Sequence, residues 1–140
     1  MCAIITNKKG VVFVPKIKCV INLEEKENTV FDNKVFYGVK IGNKITYQED
    51  KIMVTIFACD NKIIMKRVDN DYQILLEFEE GKKSIGKYFI NNGNLWLPLD
   101  TFTDKILVDD SSIRIEYQLK LDNKPTKFLF EVQYEVIEWT

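Results

Sequence analysis

The sequence predicts an all-β fold, a single antiparallel meander β-barrel, and three observations carry that prediction. Apolar and polar residues alternate with a period of two along most of the chain, as they do when one face of a strand is buried and the other is wet. Gly, Asn and Asp interrupt the alternation at short, even intervals, where a hairpin needs positive φ or a local side-chain bond to the backbone. No window combines a helical period with capping residues.

The most regular stretch is 113–121, where Ile113, Ile115, Tyr117, Leu119 and Leu121 are separated by polar residues. Residues 128–136 repeat the pattern with Leu129 as the exception, and Asp122-Asn123-Lys124-Pro125 between them suits a tight reversal. Earlier strands are expected over 15–23, 35–41, 44–48, 51–57, 62–68, 72–78, 83–90 and 95–99. Between these lie the turn residues Gly42-Asn43, Glu49-Asp50, Asp60-Asn61, Asp69-Asn70, Glu80-Gly81 and Asn91-Asn92-Gly93-Asn94. Residues 24–34 are too polar for a core helix, include the β-branched Thr29 and Val30, and read as a loop leading into a strand. Residues 99–110 fit a strand, a bend or a short helical turn equally. Short turns between consecutive strands favour a closed barrel over a sandwich, because closure removes the edge strands. No linker, repeat or low-complexity tract divides residues 1–140, which form one domain.

Composition excludes several functions. The chain has 140 residues, 46% of them hydrophobic and 29% charged, enough for one core. With 20 basic and 21 acidic residues the net charge is -1, so no global field draws it to nucleic acid or anionic lipid. Histidine is absent, which removes the usual acid/base partner of a nucleophile and the commonest metal ligand. Cys2, Cys19 and Cys59 are odd in number and scattered, so the thiols are expected to be free, with Cys19 a small core residue in phase with Ile17 and Ile21. The first ten residues have neither the charge nor the apolar run of a secretory signal, and no stretch reaches the ~20 apolar residues of a membrane helix. A cytoplasmic location is the expectation.

The second half of the chain carries Phe78-x-x-Gly81, Tyr88, Gly93-x-Leu95-x-Leu97, Thr101 and Ile113-x-Ile115-x-Tyr117-x-Leu119. In these residues and their spacing it resembles the YwiB-like family of small bacterial proteins. The resemblance runs from about Lys16 to Tyr134 and leaves the N-terminal segment, residues 1–10, outside. It implies a calycin-like, lipocalin-type barrel and lends no activity. Arg67 matches a basic residue that the family carries at a strand end. Asp69-Asn70-Asp71 and Ser112 stand where the family has glycines, and the glycine-x-tryptophan signature of true lipocalins is missing.

No residue set reads as catalytic or as metal-binding, and no cofactor is expected. Ser111-Ser112 after Asp109-Asp110 reads as a turn, as does Asp69-Asn70-Asp71, which lacks the glycine and distal glutamate of a calcium loop. No acid is expected at an inward strand phase. The expected function is therefore a non-enzymatic barrel that holds a small apolar or amphipathic ligand at one end, with Phe78, Tyr88, Tyr117 and Tyr134 as ligand-binding residues. The alternative is a protein-interaction module docking through an exposed face or strand edge near Trp96, which stands opposite in phase to Leu95, Leu97 and Leu99. An internal cavity of roughly 300 Å³ or more favours the ligand. A filled interior with an apolar outer patch around Trp96 favours the protein partner.

Overall fold

The alternation folds into ten strands: β1 (Pro15–Glu25), β2 (Asn28–Ile41), β3 (Lys44–Glu49), β4 (Ile52–Cys59), β5 (Lys62–Val68), β6 (Tyr72–Glu79), β7 (Lys83–Ile90), β8 (Leu95–Val108), β9 (Ser112–Leu121) and β10 (Lys124–Trp139). The computed structural model describes residues 15–90, 93–121 and 123–139. The N-terminal segment and Cys2 lie outside the described residues. Each strand pairs antiparallel with the next, and β10 returns to pair with β1 from Pro15↔Trp139 to Glu25↔Phe128, closing the barrel.

Turn chemistry explains the reversals. Asp50, Asp60, Asn123, Gly42, Gly81 and Gly93 all have positive φ, and each sits between two strands, where Asx residues and glycine tolerate that region. The β1–β2 turn uses Lys26 and Glu27, both at positive φ, as a two-residue turn matched to strand twist requires. Residues 24–34 are thus a hairpin and not a loop. Their polarity misleads because most of their side chains are exposed, although Phe31 packs against the core and Glu24 and Glu25 stay paired with β10. Asn33, also at positive φ, marks an irregularity in the β1–β2 register, and its backbone N–H donates to Asn22 Oδ1 at 2.8 Å.

Inward positions form one packed core. Ile17, Cys19 and Ile21 of β1, Tyr47 of β3, Val54 and Ile56 of β4, Phe78 of β6, Ile115 of β9 and Val132 of β10 are all at most 1% exposed. Cys19 is a free, buried thiol, and burial pushes its pKa up to about 12, far from a reactive thiolate. Cys59 is disulfide-bonded, which corrects the expectation of three free thiols and removes the thiol argument for a reducing compartment.

Two departures from regular pairing matter. In β8 the register with β9 shifts between Thr103 and Lys105. Asp104 is the extra residue of a bulge, and the inward phase passes from Thr103 to Ile106. This phase change is why residues 99–110 resist a single reading, although 99–108 continue one strand and 109–110 begin the turn. Between β6 and β7 the ladder covers only Tyr72–Leu75 against Lys87–Ile90. Below it, Ser84 Oγ donates to the Glu77 carbonyl at 2.6 Å, and Glu80 Oε1 accepts the Ile106 N–H at 3.0 Å.

Candidate functional site at one end of the barrel

The up-and-down order sends the β1–β2, β3–β4, β5–β6, β7–β8 and β9–β10 turns to the same end. Three features meet there: a buried ion pair, a set of stacked rings and an exposed hairpin.

The ion pair joins Glu49 and Arg67. Both continue an inward series, Ile45–Tyr47–Glu49 on β3 and Ile63–Met65–Arg67 on β5, and Glu49 is only 5% exposed. Arg67 Nη2 donates to Glu49 Oε1 at 2.6 Å and Nη1 to Oε2 at 3.3 Å, a two-pronged contact that matches guanidinium to carboxylate. Burial draws the Arg67 pKa down, but the hydrogen bond and the charge of Glu49 outweigh it and the net shift is upward. Next along β3, the Tyr47 hydroxyl is buried without a hydrogen-bond partner among the described residues. Burial first, and the negative charge of Glu49 second, hold its ionisation far above the ordinary tyrosine range. Glu49 corrects the expectation that no acid faces inward. The signal was present, since Glu49 stands two residues beyond Tyr47, but its neighbour Asp50 made the pair read as turn.

The rings expected to bind a ligand are not gathered in one pocket. Phe78 and Tyr117 touch, with centroids 4.7 Å apart, and Tyr117 stacks on Phe128 at 5.1 Å. Phe78 is fully buried and Tyr117 nearly so, so both serve as packing. Tyr88 lies nearer the mouth and stacks on Tyr72 at 5.8 Å. Tyr134 is paired across from Cys19 towards the opposite end, near the charges of Asp109 and Asp110, and burial raises its pKa. The turn there is built as expected, with the Ser111 N–H donating to Asp109 Oδ1 at 2.9 Å. The Asp69 turn is closed by the Asn70 N–H donating to Asp69 Oδ1 at 2.7 Å.

The exposed hairpin joins β7 and β8. Leu95, Trp96 and Leu97 are 48%, 49% and 50% exposed, although Leu95 and Leu97 share the inward phase of buried Leu99. The cause lies in strand lengths. β8 pairs with β7 along Leu95 to Phe102, but its pairing with β9 begins only at Asp100↔Lys120, and β9 ends at Leu121. Residues 95–98 therefore run past the end of β9 with, among the described residues, a ladder on one side only. Pro98, which lacks an N–H, stands in this segment, as a one-sided strand allows. Lys87 Nζ lies 5.5 Å from the centroid of the Trp96 ring. Below this hairpin, a cleft of ≈ 520 Å³ open to solvent is lined by Ile85, Phe102, Pro125 and Lys120, among others.

Fold and site together define a small closed meander β-barrel with a packed interior and one open-edged hairpin. The chain belongs to the DUF1934 family, a domain of unknown function, whose family model matches residues 16–130. The crystal structure of the ywiB protein from Bacillus subtilis aligns with a TM-score of 0.63 over 89% of this chain and 94% of that one, at 15% identity, a likeness of fold. No curated protein matches the chain. Among the described residues, no helix is long and apolar enough to cross a membrane.

Proposed function

We propose that this barrel is a non-enzymatic docking module that accepts an extended polypeptide segment along the one-sided edge of β8 at residues 95–98. The observation that carries the reading is the end of the β8–β9 ladder at Asp100↔Lys120, beyond which, among the described residues, the apolar segment 95–98 has no second ladder partner, although Pro98 offers a carbonyl and no N–H. Adding a strand to such an edge is a recurrent mode of peptide recognition, in which the backbone supplies affinity and alternate side chains supply specificity. The packed interior supports this reading over an enclosed ligand site. The lack of histidine, and a thiol at Cys19 held protonated, support a module without catalysis.

A second reading keeps the small amphipathic ligand at the same end. The Tyr72–Tyr88 stack and the Glu49–Arg67 pair favour it, because a mouth with ring faces and a polar floor suits a molecule of mixed character. Native mass spectrometry of the protein purified from its own host separates the two. A polypeptide that co-purifies with the wild type and is lost from Leu97→Asp is the expected result. A stoichiometric small adduct in its place moves the assignment to the second reading.

A further inference from the structure

Side-chain charge around the β8 edge specifies what the docking segment carries. A strand laid beside residues 95–98 alternates its side chains between the barrel mouth and the outer wall. On the mouth side it meets Leu95 and Leu97, inward in phase and yet half exposed. On the outer side lie two cations: Lys87, opposite Pro98 on β7 with its Nζ 5.5 Å from the Trp96 ring centroid, and Lys120, the last outward residue of β9 before the segment begins. Both are exposed, and neither makes an ion pair within 4.0 Å among the described residues. Asp100, across from Lys120, forms no ion pair with it.

We infer that the docking segment alternates acidic and apolar residues, its apolar side chains covering Leu95 and Leu97 and its carboxylates meeting Lys87 and Lys120. The inference rests on the docking reading above and adds the chemistry of the partner. Opposite charges across an interface steer encounter and fix register, while the covered leucines supply apolar burial. A nucleic acid fits less well, because its phosphates would meet Asp100 and residues 95–98 offer its bases a single ring, Trp96, between two leucines.

The test uses the full chain with Trp139→Phe, so that Trp96 is the only indole and its fluorescence reads the edge. Three blocked heptapeptides are titrated, alternating valine with glutamate, lysine or serine, together with an oligothymidylate. Binding of the glutamate peptide at least about tenfold tighter than the lysine peptide, weakened by salt, is expected for complementary charge. The variant Lys87→Glu/Lys120→Glu should reverse that order, and Leu97→Asp should abolish binding of every peptide; Leu97→Ser takes its place if the aspartate variant loses its far-ultraviolet β signal. Equal binding of all three peptides, lost in Leu97→Asp, would overturn the acidic chemistry and leave the docking reading standing. No binding by any peptide would overturn both. Tighter binding of the oligothymidylate, or sedimentation showing self-association that Leu97→Asp abolishes, would overturn the inference in favour of nucleic acid or a second copy of this chain.

Discussion

Two adjacent stretches of β8, residues 95–98 and 99–103, carry the same alternation, but only the inward side chains of the second are buried. Leu99, Thr101 and Thr103 are 9%, 2% and 0% exposed, whereas Leu95 and Leu97, in the same phase, are about half exposed at 48% and 50%. Residues 95–98 and 99–102 both pair with β7. The buried stretch is also covered by β9, and the exposed stretch runs beyond it. Alternation therefore fixes which face of the sheet a side chain leaves from. Burial depends on whether a second strand lies alongside, and that depends on the lengths of elements elsewhere in the chain.

The sharpest test of the contrast is Leu99→Asp. It removes a buried leucine whose burial is worth ~1.5–3 kcal/mol and adds a carboxylate with no partner in the core, which raises the loss further. Small domains hold only ~5–15 kcal/mol of stability, so urea melts should show a large loss or the variant should fail to accumulate as folded protein. A melt within experimental error of the wild type would mean that the two stretches of β8 do not differ in the way described.

The ion pair extends the comparison to the β3–β5 side of the same end, where inward positions are closed by charge. Glu49→Ala leaves Arg67 charged and mostly buried. Breaking a buried pair typically costs ~3–5 kcal/mol, and because the Arg67 side chain is 20% exposed, a loss near the lower limit is expected. Replacing both, as in Glu49→Leu/Arg67→Met, should restore most of it, since an apolar pair of similar volume is often neutral or better. If the double variant is no more stable than Glu49→Ala, the loss comes from packing of the carboxylate stem and not from the orphaned charge.

Gly86 tests the packing beside Leu99, its partner across the β7–β8 ladder. A Cβ at Gly86 would stand 2.6 Å from Leu76 Cδ2 and 2.9 Å from the Leu75 carbonyl oxygen. The leucine tip can rotate but the carbonyl cannot move alone, so Gly86→Ala should destabilise by ~1–3 kcal/mol, as overpacked cores do. A thermal melt suffices to check it; an unchanged or higher Tm would show that the β6–β7 gap relaxes to accept the methyl group.

Most of the fold was legible because the barrel is a meander: pairing follows chain order, and every hairpin but that of β1 and β2 announces itself through Asp, Asn or Gly at its tip. The failures have local causes. Lys26 and Glu27 form a turn without turn-favouring side chains, so residues 24–34 looked like a loop. The bulge at Asp104 switches the inward phase within one strand and defeats any single period. Glu49 lay in phase with Ile45 and Tyr47, but an acid beside Asp50 at a strand end reads as solvent-facing unless its partner is known, and Arg67 is 18 residues away. Of the candidate site residues, alternation correctly sent Phe78 and Tyr117 inward. It carried no information on height along the barrel axis, which is what separates Tyr134 from Tyr88. Trp96 was legible as an outward residue, whereas the exposure of its two leucine neighbours was not, because it depends on where β9 stops.

The smallest expected effect is also the one that most directly separates the two stretches of β8. Leu97→Asp makes the same chemical change as Leu99→Asp, two residues away on the same strand and in the same phase. Leu97 already has half its surface in water, the new carboxylate can hydrate, and the β7 ladder is untouched because only a side chain changes. The shift should stay within about 0.5 kcal/mol, the range of ordinary surface substitutions. Paired urea melts of Leu97→Asp and Leu99→Asp, analysed with a common m-value, give the difference directly. A loss at Leu97 approaching that at Leu99 would mean that residues 95–98 are covered in solution by another part of the chain or by a second copy, and the free edge on which the docking proposal stands would be lost with them.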